Sequence, residues 1–383
     1  MIAGIETYKN RPTRAEISFE NLRNNFSIVK SLINKDVKIM AMVKANAYGH
    51  GLYEISSELL KQGVDYLGVA VLEEGVYLRE LGITAPILVL GPINADQIAD
   101  FIAHDIEITS SSIDKSIAIA AIAKKMQKVA LVHLKIDTGM ERIGVHWYNA
   151  DRFIEKSYEL ESIKIKGIFS HLAKAESDTD CTAQQLSRFE SVLNSMEKKK
   201  LLPELVHLAN SAGIINYKNS HYSMVRPGIM LYGYNPNGYL PDITFDGKKL
   251  KPVMTLKTKV SFFKVVPAHT GISYNHTYIT NDQTRIVTLP IGYGDGYFRL
   301  LSNKGVVIIR GKKYPVVGSV CMDQCMVDIG MSGTAYNGDD VLLFGNMDNF
   351  TIPLESLCDK IGTITYEFLC GISSRVPRIY RTI

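Results

Sequence analysis

What this chain lacks narrows it before any motif is read. No apolar run approaches the ~18–20 residues that a membrane-crossing helix needs, so none is expected. Residues 1–18 hold no apolar stretch followed by a small-residue cleavage pattern, so a secretory leader is not expected either. Neither sign of charge dominates: 43 basic residues stand against 39 acidic ones, for a formal net charge of +4. The charges are interspersed, and the longest basic run, Lys198-Lys199-Lys200, suits the end of a helix, where the dipole favours cations. Nucleic acid is therefore not an expected partner. Five cysteines (Cys181, Cys321, Cys325, Cys358 and Cys370) form no paired spacing, and the odd count points to reduced thiols and a cytoplasmic setting. Cys321 and Cys325 have no histidine nearby in sequence, so no metal site is expected. There is no internal repeat and no low-complexity segment. No G-x-G-x-x-G follows an early strand, which removes the fingerprint of the dinucleotide-binding folds.

What remains is a long, core-rich chain. Its 383 residues, 46% of them apolar, suit a barrel of roughly 200–250 residues with a second domain beside it. Ser18 can cap a helix running to about residue 34, with Phe19, Leu22, Phe26, Val29 and Ile33 at helical spacing. Strand-like runs near 38–44, 65–71, 86–90, 105–108, 129–137, 163–170, 204–208 and 222–226 then alternate with helical patterns. The fold class is α/β, an N-terminal (β/α)8 TIM-like barrel over 15–240, with an open doubly wound sheet as the alternative from pattern alone. After Gly233 the texture changes. Asn235-Pro236-Asn237-Gly238 reads as a loop, and strands near 253–266, 284–289, 305–309, 314–317, 326–329 and 340–344 follow without helices until a short one near 353–361. Residues 241–383, with 1–14, are expected to form a mostly β domain.

In such a barrel, chemistry sits at the carboxyl ends of the strands. The first strand ends in Val43-Lys44-Ala45-Asn46-Ala47-Tyr48-Gly49-His50-Gly51. A lysine at the end of a buried strand loses water, its pKa falls, and it becomes a nucleophile toward aldehydes. Lys135, Asp137 and Arg142 follow the fifth strand, His171 the sixth, Asn210 and Ser211 the seventh, and Arg226, Gly228 and Ile229 the eighth. The loops after the last two strands are the usual phosphate site of this fold. Ser211 offers a hydroxyl there, or a cap for the following helix, and backbone N–H groups favour an anion in either case.

V-K-A-N-A-Y-G-H-G resembles the cofactor-lysine signature of the alanine racemases. The five strand-end segments follow that family's pattern in the same order. So do G-I-S-Y at 271–274, I-G-Y-G-D-G at 291–296, V-C-M-D-Q at 320–324, I-G-T-I-T-Y-E at 361–367 and I-S-S-R-V-P-R-I-Y at 372–380. The resemblance covers essentially the whole chain. It implies that Lys44 carries pyridoxal 5′-phosphate (PLP) covalently. Tyr48, Ser211, Gly228, Ile229 and Tyr366 would hold the phosphate, and Arg226 would face the pyridine nitrogen. It further implies two bases on opposite faces of the substrate, Lys44 and Tyr274, the latter from a partner subunit and assisted by His171. The protein would then be a homodimer with shared sites. Arg142 and the backbone of Met322 would bind the substrate carboxylate, and Asp323 would order the Met322 loop. Lys135 holds the place of a carbamylated lysine. One departure is Glu141, where relatives often carry glycine, and it stands where it could compete for Arg142. Tyr293 and Tyr366 would narrow the entrance, which favours alanine as substrate and a role in supplying D-alanine for peptidoglycan. The other readings are a serine or broader amino-acid racemase, a non-catalytic PLP-binding protein, and a PLP decarboxylase. The last would want an acidic residue where Arg226 stands.

Overall fold

A computed structural model of the chain describes residues 10–238, 240 and 243–382. Of the expected domain limits, residues 1–9, 241–242 and 383 lie outside these. The chain divides into two compact units, one built from residues 22–47 and 51–251, the other from residues up to 21, from 48–50 and from 252 onward.

The first unit is a closed barrel of eight parallel strands. In chain order they are β1 (Lys38–Met42), β2 (Tyr66–Val69), β3 (Ile87–Val89), β4 (Glu107–Ser110), β5 (Ala130–Asp137), β6 (Ile163–Phe169), β7 (Leu205–His207) and β8 (Met224–Val225). Each pairs with its neighbours in sequence, and β8 closes the ring on β1 through Met224 opposite Lys38. All eight expected strands are present; seven are slightly shorter than the apolar runs suggested, and the fourth, expected near 105–108, has the expected length but lies two residues later. Helices cover the outside, so most strand residues are buried, as parallel sheets require. The helices start where short polar side chains hold the first turn. Asp178 accepts from the Cys181 N–H, and Ser112 from the Lys115 N–H.

The second unit is an antiparallel sheet ordered Phe262–Val266, Thr284–Leu289, Cys325–Asp328, Lys312–Val317, Val306–Ile309, Asp340–Met347, Met254–Lys259 and Arg14–Ser18, with Arg378–Arg381 added in parallel at the end. Two expectations are corrected here. The run at 253–266 is two strands, not one. The chain turns a corner at Val260 and Ser261, whose N–H groups go to Asp339 and Thr288, and so exchanges one set of sheet partners for another. Arg14–Ser18, where no strand was expected, is a strand whose alternate residues, Ala15 and Ile17, are buried. Ser18 Oγ does cap the helix Phe19–Leu32, accepting from the Asn21 N–H at 3.1 Å. No helix of the described residues is long and apolar enough to cross a membrane.

Candidate active site

The barrel unit gathers its chemistry at the strand ends. Arg226, just past β8, is buried and donates to Ser170 O (2.7 Å), Leu208 O (3.0 Å), His171 Nδ1 (3.2 Å) and His207 Nδ1 (2.8 Å). No carboxylate pairs with it among the described residues, so it is not a structural ion pair. Burial pulls its pKa down to about 9, which leaves it charged at neutral pH. A guanidinium can only donate, so His171 Nδ1 accepts and the imidazole proton sits on Nε2. Burial, then the charges of Arg226, Lys135, Arg142 and Lys44, hold His171 well below the usual imidazole range. His171 is thus a neutral donor among four cations that come from the ends of β1, β5 and β8.

Lys135 Nζ is buried without a hydrogen-bond partner. Its ammonium lies 4.8 Å from the centroid of the Phe169 ring. Desolvation, and then Arg226, push its pKa well below the ordinary lysine value. Lys44 is half-buried. The backbone that follows it is left-handed. Ala45, Asn46, Ala47 and Tyr48 all have φ between 51° and 54°. Left-handed geometry costs roughly 1–2 kcal/mol for each L-residue. Only Asn46 is a residue type that visits this region readily, so Ala45, Ala47 and Tyr48 carry the strain, and such strain gathers at functional sites.

The loop after β5 is organised by Asp137. Its carboxylate accepts from the N–H groups of Gly139 (2.7 Å), Met140 (3.0 Å) and Arg142 (3.3 Å). Arg142 is exposed at the end of this loop, and no described carboxylate pairs with it. Glu141 does not compete for it. Glu141 turns to His146 Nε2, 2.8 Å away. After β7 the helix Ser211–Asn216 is capped by Asn210, whose side chain accepts from the Gly213 N–H. Ser211, which might have been the cap, instead accepts from the N–H groups of Gly228 (2.9 Å) and Met230 (3.4 Å). Ile229 lies between these and is buried.

The second unit carries the other expected residues. Tyr48 and Tyr366 face each other with ring centroids 5.9 Å apart, and burial raises the Tyr48 phenol above its ordinary pKa. Tyr366 sits on the helix Thr365–Gly371, which sequence patterning missed because the segment is only seven residues long. Tyr274 and Met322 are exposed, at 69% and 53%. Their loops are tied together. Ser273 Oγ donates to Ser319 O (2.7 Å), and Ser319 Oγ to Tyr274 O (3.1 Å). The loop at 292–295 joins them through Tyr293 N–H to Cys321 O (3.0 Å) and Gly294 N–H to Met322 O (2.9 Å). A Cβ on Gly292 would stand 2.2 Å from Cys321 O, so only glycine allows this approach. Buried Asp295, paired with Arg11 (2.7 Å) and Arg375 (3.3 Å), anchors the same place. Arg375 in turn holds Asp323 at 2.7 Å.

Two family models match the chain: the alanine racemase N-terminal domain over residues 17–236 and the alanine racemase C-terminal domain over residues 253–380. The chain belongs to the alanine racemase family. An alanine racemase of Halothermothrix orenii is 44% identical over 372 residues, covering 97% of either chain. Alanine racemase 2 of Caldanaerobacter subterraneus is 43% identical, covering 97% of this chain and 95% of its own. A solved alanine racemase of Clostridium difficile superposes with a TM-score of 0.90 at 39% identity, covering 97% of this chain and 96% of its own. Against other alanine racemases, then, the likeness extends through both units and is not confined to the barrel.

Proposed function

We propose that this alanine racemase family member interconverts L- and D-alanine with PLP as cofactor, as a homodimer whose sites draw on both subunits. The observation that carries the reading is the convergence of Lys44, Lys135, Arg142 and Arg226 on neutral His171. The cations Lys44, Arg142 and Arg226 suit a ligand bearing a phosphate and a phenolate, together with a substrate carboxylate. Buried Lys135 Nζ, without a hydrogen-bond partner among the described residues, is open to a further group. Carbamylation by carbon dioxide would join its nitrogen to the carbon and, starting from the ammonium, release two protons. It would turn a cation that repels Arg142 into an anion that orients it.

In this reading Lys44 holds PLP. Ser211, the Gly228 and Ile229 N–H groups, Tyr48 and Tyr366 receive its phosphate, and Arg226 faces its pyridine nitrogen. Bound PLP supplies a sink for the electron pair left when the substrate Cα loses its proton. An arginine at the ring nitrogen donates without giving up a proton, so it keeps that sink weak and protects against side reactions. Arg142 and the backbone N–H of Met322 of the partner subunit orient the substrate carboxylate. The Lys44 amine moves the Cα proton on one face. The phenolic oxygen of Tyr274 of the partner subunit moves it on the other. A phenol at its ordinary pKa of about 10 is a weak base. His171 supplies the help: its Nε2–H is the free donor once Arg226 occupies Nδ1. The setting we assign is cytoplasmic, in line with five unpaired cysteines, and the product is D-alanine for peptidoglycan.

The test is D-alanine formation from L-alanine with added PLP, in wild type and in Tyr274→Phe. Wild type should racemise, and the variant should lose about 10²–10⁴-fold in kcat, the span of a general base, while keeping the cofactor's visible absorption. PLP binding without racemisation of alanine would move the reading to another amino acid, serine first.

A further inference from the structure

Behind Arg226 the barrel interior holds a line of polar side chains that the proposed chemistry does not use. Glu107 Oε2 lies 2.7 Å from His133 Nε2, His133 Nδ1 lies 3.0 Å from His207 Nε2, and His207 Nδ1 lies 2.8 Å from Arg226. All four residues are at most 4% exposed. They come from β4, β5, β7 and the end of β8, so the line crosses the barrel.

The chemistry of the donors fixes every proton along it. Arg226 can only donate, so His207 Nδ1 accepts and His207 carries its proton on Nε2. That proton must be given to His133 Nδ1, so His133 accepts there and carries its own proton on Nε2. His133 Nε2–H then donates to Glu107 Oε2, which accepts. The alternative, a protonated His133, fails. Its Nδ1–H would need an acceptor at His207 Nε2, and His207 would be left with no proton at all. Burial and the Arg226 charge also hold His207 well below the ordinary imidazole range.

The surroundings are built for this line. Phe169 stacks on the His207 ring at 4.7 Å and 7°, and Tyr66 Oη lies 3.4 Å from the second oxygen of Glu107. The other charge near His207 is Lys135. On β6, a Cβ at Gly167 would stand 2.4 Å from His133 Nδ1. Glycine weakens a strand interior, and here it makes room for an imidazole.

We propose that Glu107 is a positioning residue for Arg226, acting through His133 and His207, whose neutral Nε2–H tautomers it fixes. A buried guanidinium with no adjacent carboxylate among the described residues thereby gains a rigid acceptor that holds its plane. The kinetic part of the test rests on the proposed role of Arg226 at the cofactor, and the spectroscopic part does not.

The experiment is nitrogen-15 histidine NMR on the full-length holoenzyme, with His133 and His207 assigned by single substitution. Kinetics of Glu107→Gln and Glu107→Leu accompany it. Both imidazoles should show a protonated Nε2 and a bare Nδ1 at neutral pH. The leucine variant leaves His133 Nε2–H without an acceptor. Its kcat should fall more than about tenfold, the usual scale for a lost orienting partner, with KM for alanine nearly constant. Glutamine keeps an acceptor oxygen, because Arg226 dictates the direction of donation from the other end. It should restore kcat to within about threefold. A doubly protonated or Nδ1–H imidazole overturns the proposal. So does a leucine variant with full activity, or a glutamine variant as impaired as leucine. Should the leucine variant not fold, the wild-type tautomers and the glutamine variant still decide. Absence of racemisation in wild type would unseat the proposed function while leaving the tautomer result standing.

Discussion

The two units hold their chemistry in opposite ways. In the barrel, Arg226 is 2% exposed and His133 and His207 are fully buried, and each is oriented by hydrogen bonds from its own chain. In the β unit, Tyr274 and Met322 stand on loops that are fixed by their backbones while their side chains face outward. The barrel's Arg226 network is held by its own chain. The β side is braced but uncovered. Covering a large apolar side chain stabilises by about 1.5–3 kcal/mol, so two such groups on adjoined loops favour association. The contrast teaches where to expect dependence on a second copy: in the residues of the β unit, and not in the barrel network.

The sharpest way to break that contrast is subunit complementation. Lys44→Ala and Tyr274→Phe should each lose at least about 10²–10⁴-fold in kcat, because on the proposed function each removes a base from every shared site. Unfolded together in equal amounts and refolded, half the dimers should be mixed. Each mixed dimer has one site with both native groups, so about a quarter of wild-type activity should return, as two-fold symmetry requires. Recovery measured by D-alanine formation supports sharing. No recovery from mixed dimers confirmed by mass would mean that both groups serve a site within one chain.

A smaller effect is expected within the barrel's own loops. Asp137 organises the Arg142 loop through three backbone N–H groups, and Asp137→Ala should raise KM for alanine about tenfold while lowering kcat less, since about 1.4 kcal/mol of orientation is lost. The pH dependence has a definite sign. Those hydrogen bonds hold the folded Asp137 below its ordinary 3.8, despite opposing desolvation. Its contribution is therefore complete above that value and disappears only as pH falls through the lower folded one. Between neutrality and mild acid the wild-type KM should show no limb from this group. Steady-state kinetics over that range, in wild type and Asp137→Ala, would show an equal KM if the loop held itself without Asp137.

The barrel strands were legible because parallel strands buried on both faces read as continuous apolar runs, and the strand-end residues could be found by counting from them. Lys44, His171 and Arg226 stand where that counting put them. What sequence could not give was direction. Asn210 and Ser211 are adjacent polar residues, and only the backbone decides that Asn210 caps while Ser211 turns to Gly228. The left-handed run at 45–48 leaves no signal in sequence, because of its four residues only Asn46 is a type that favours it. Glu107 and His133 were invisible for a different reason. Inside apolar runs they look like isolated polar residues, and only the closure of the ring brings four distant strands to one line. Arg14–Ser18 was missed because a five-residue strand offers only two buried positions to recognise.

Glu141 offers the finest test, because a charge beside a critical arginine looks important in sequence and unimportant in space. It is exposed, and its partner His146 is exposed too, at 2.8 Å. Exposed pairs of this kind contribute about 0–1 kcal/mol, and most of that is screened by salt. Glu141→Gln should therefore keep kcat/KM within about twofold and stability within about 0.5 kcal/mol, the ordinary range for surface substitutions. Kinetics at low and high ionic strength, with thermal unfolding alongside, would check it. A salt-sensitive change of KM beyond about fivefold, more than an exposed pair supplies, would mean that Glu141 reaches Arg142 in solution. The division between a barrel that orients its own groups and a β unit that lends its groups outward would then need a third party, a surface carboxylate that trims the charge at the barrel mouth.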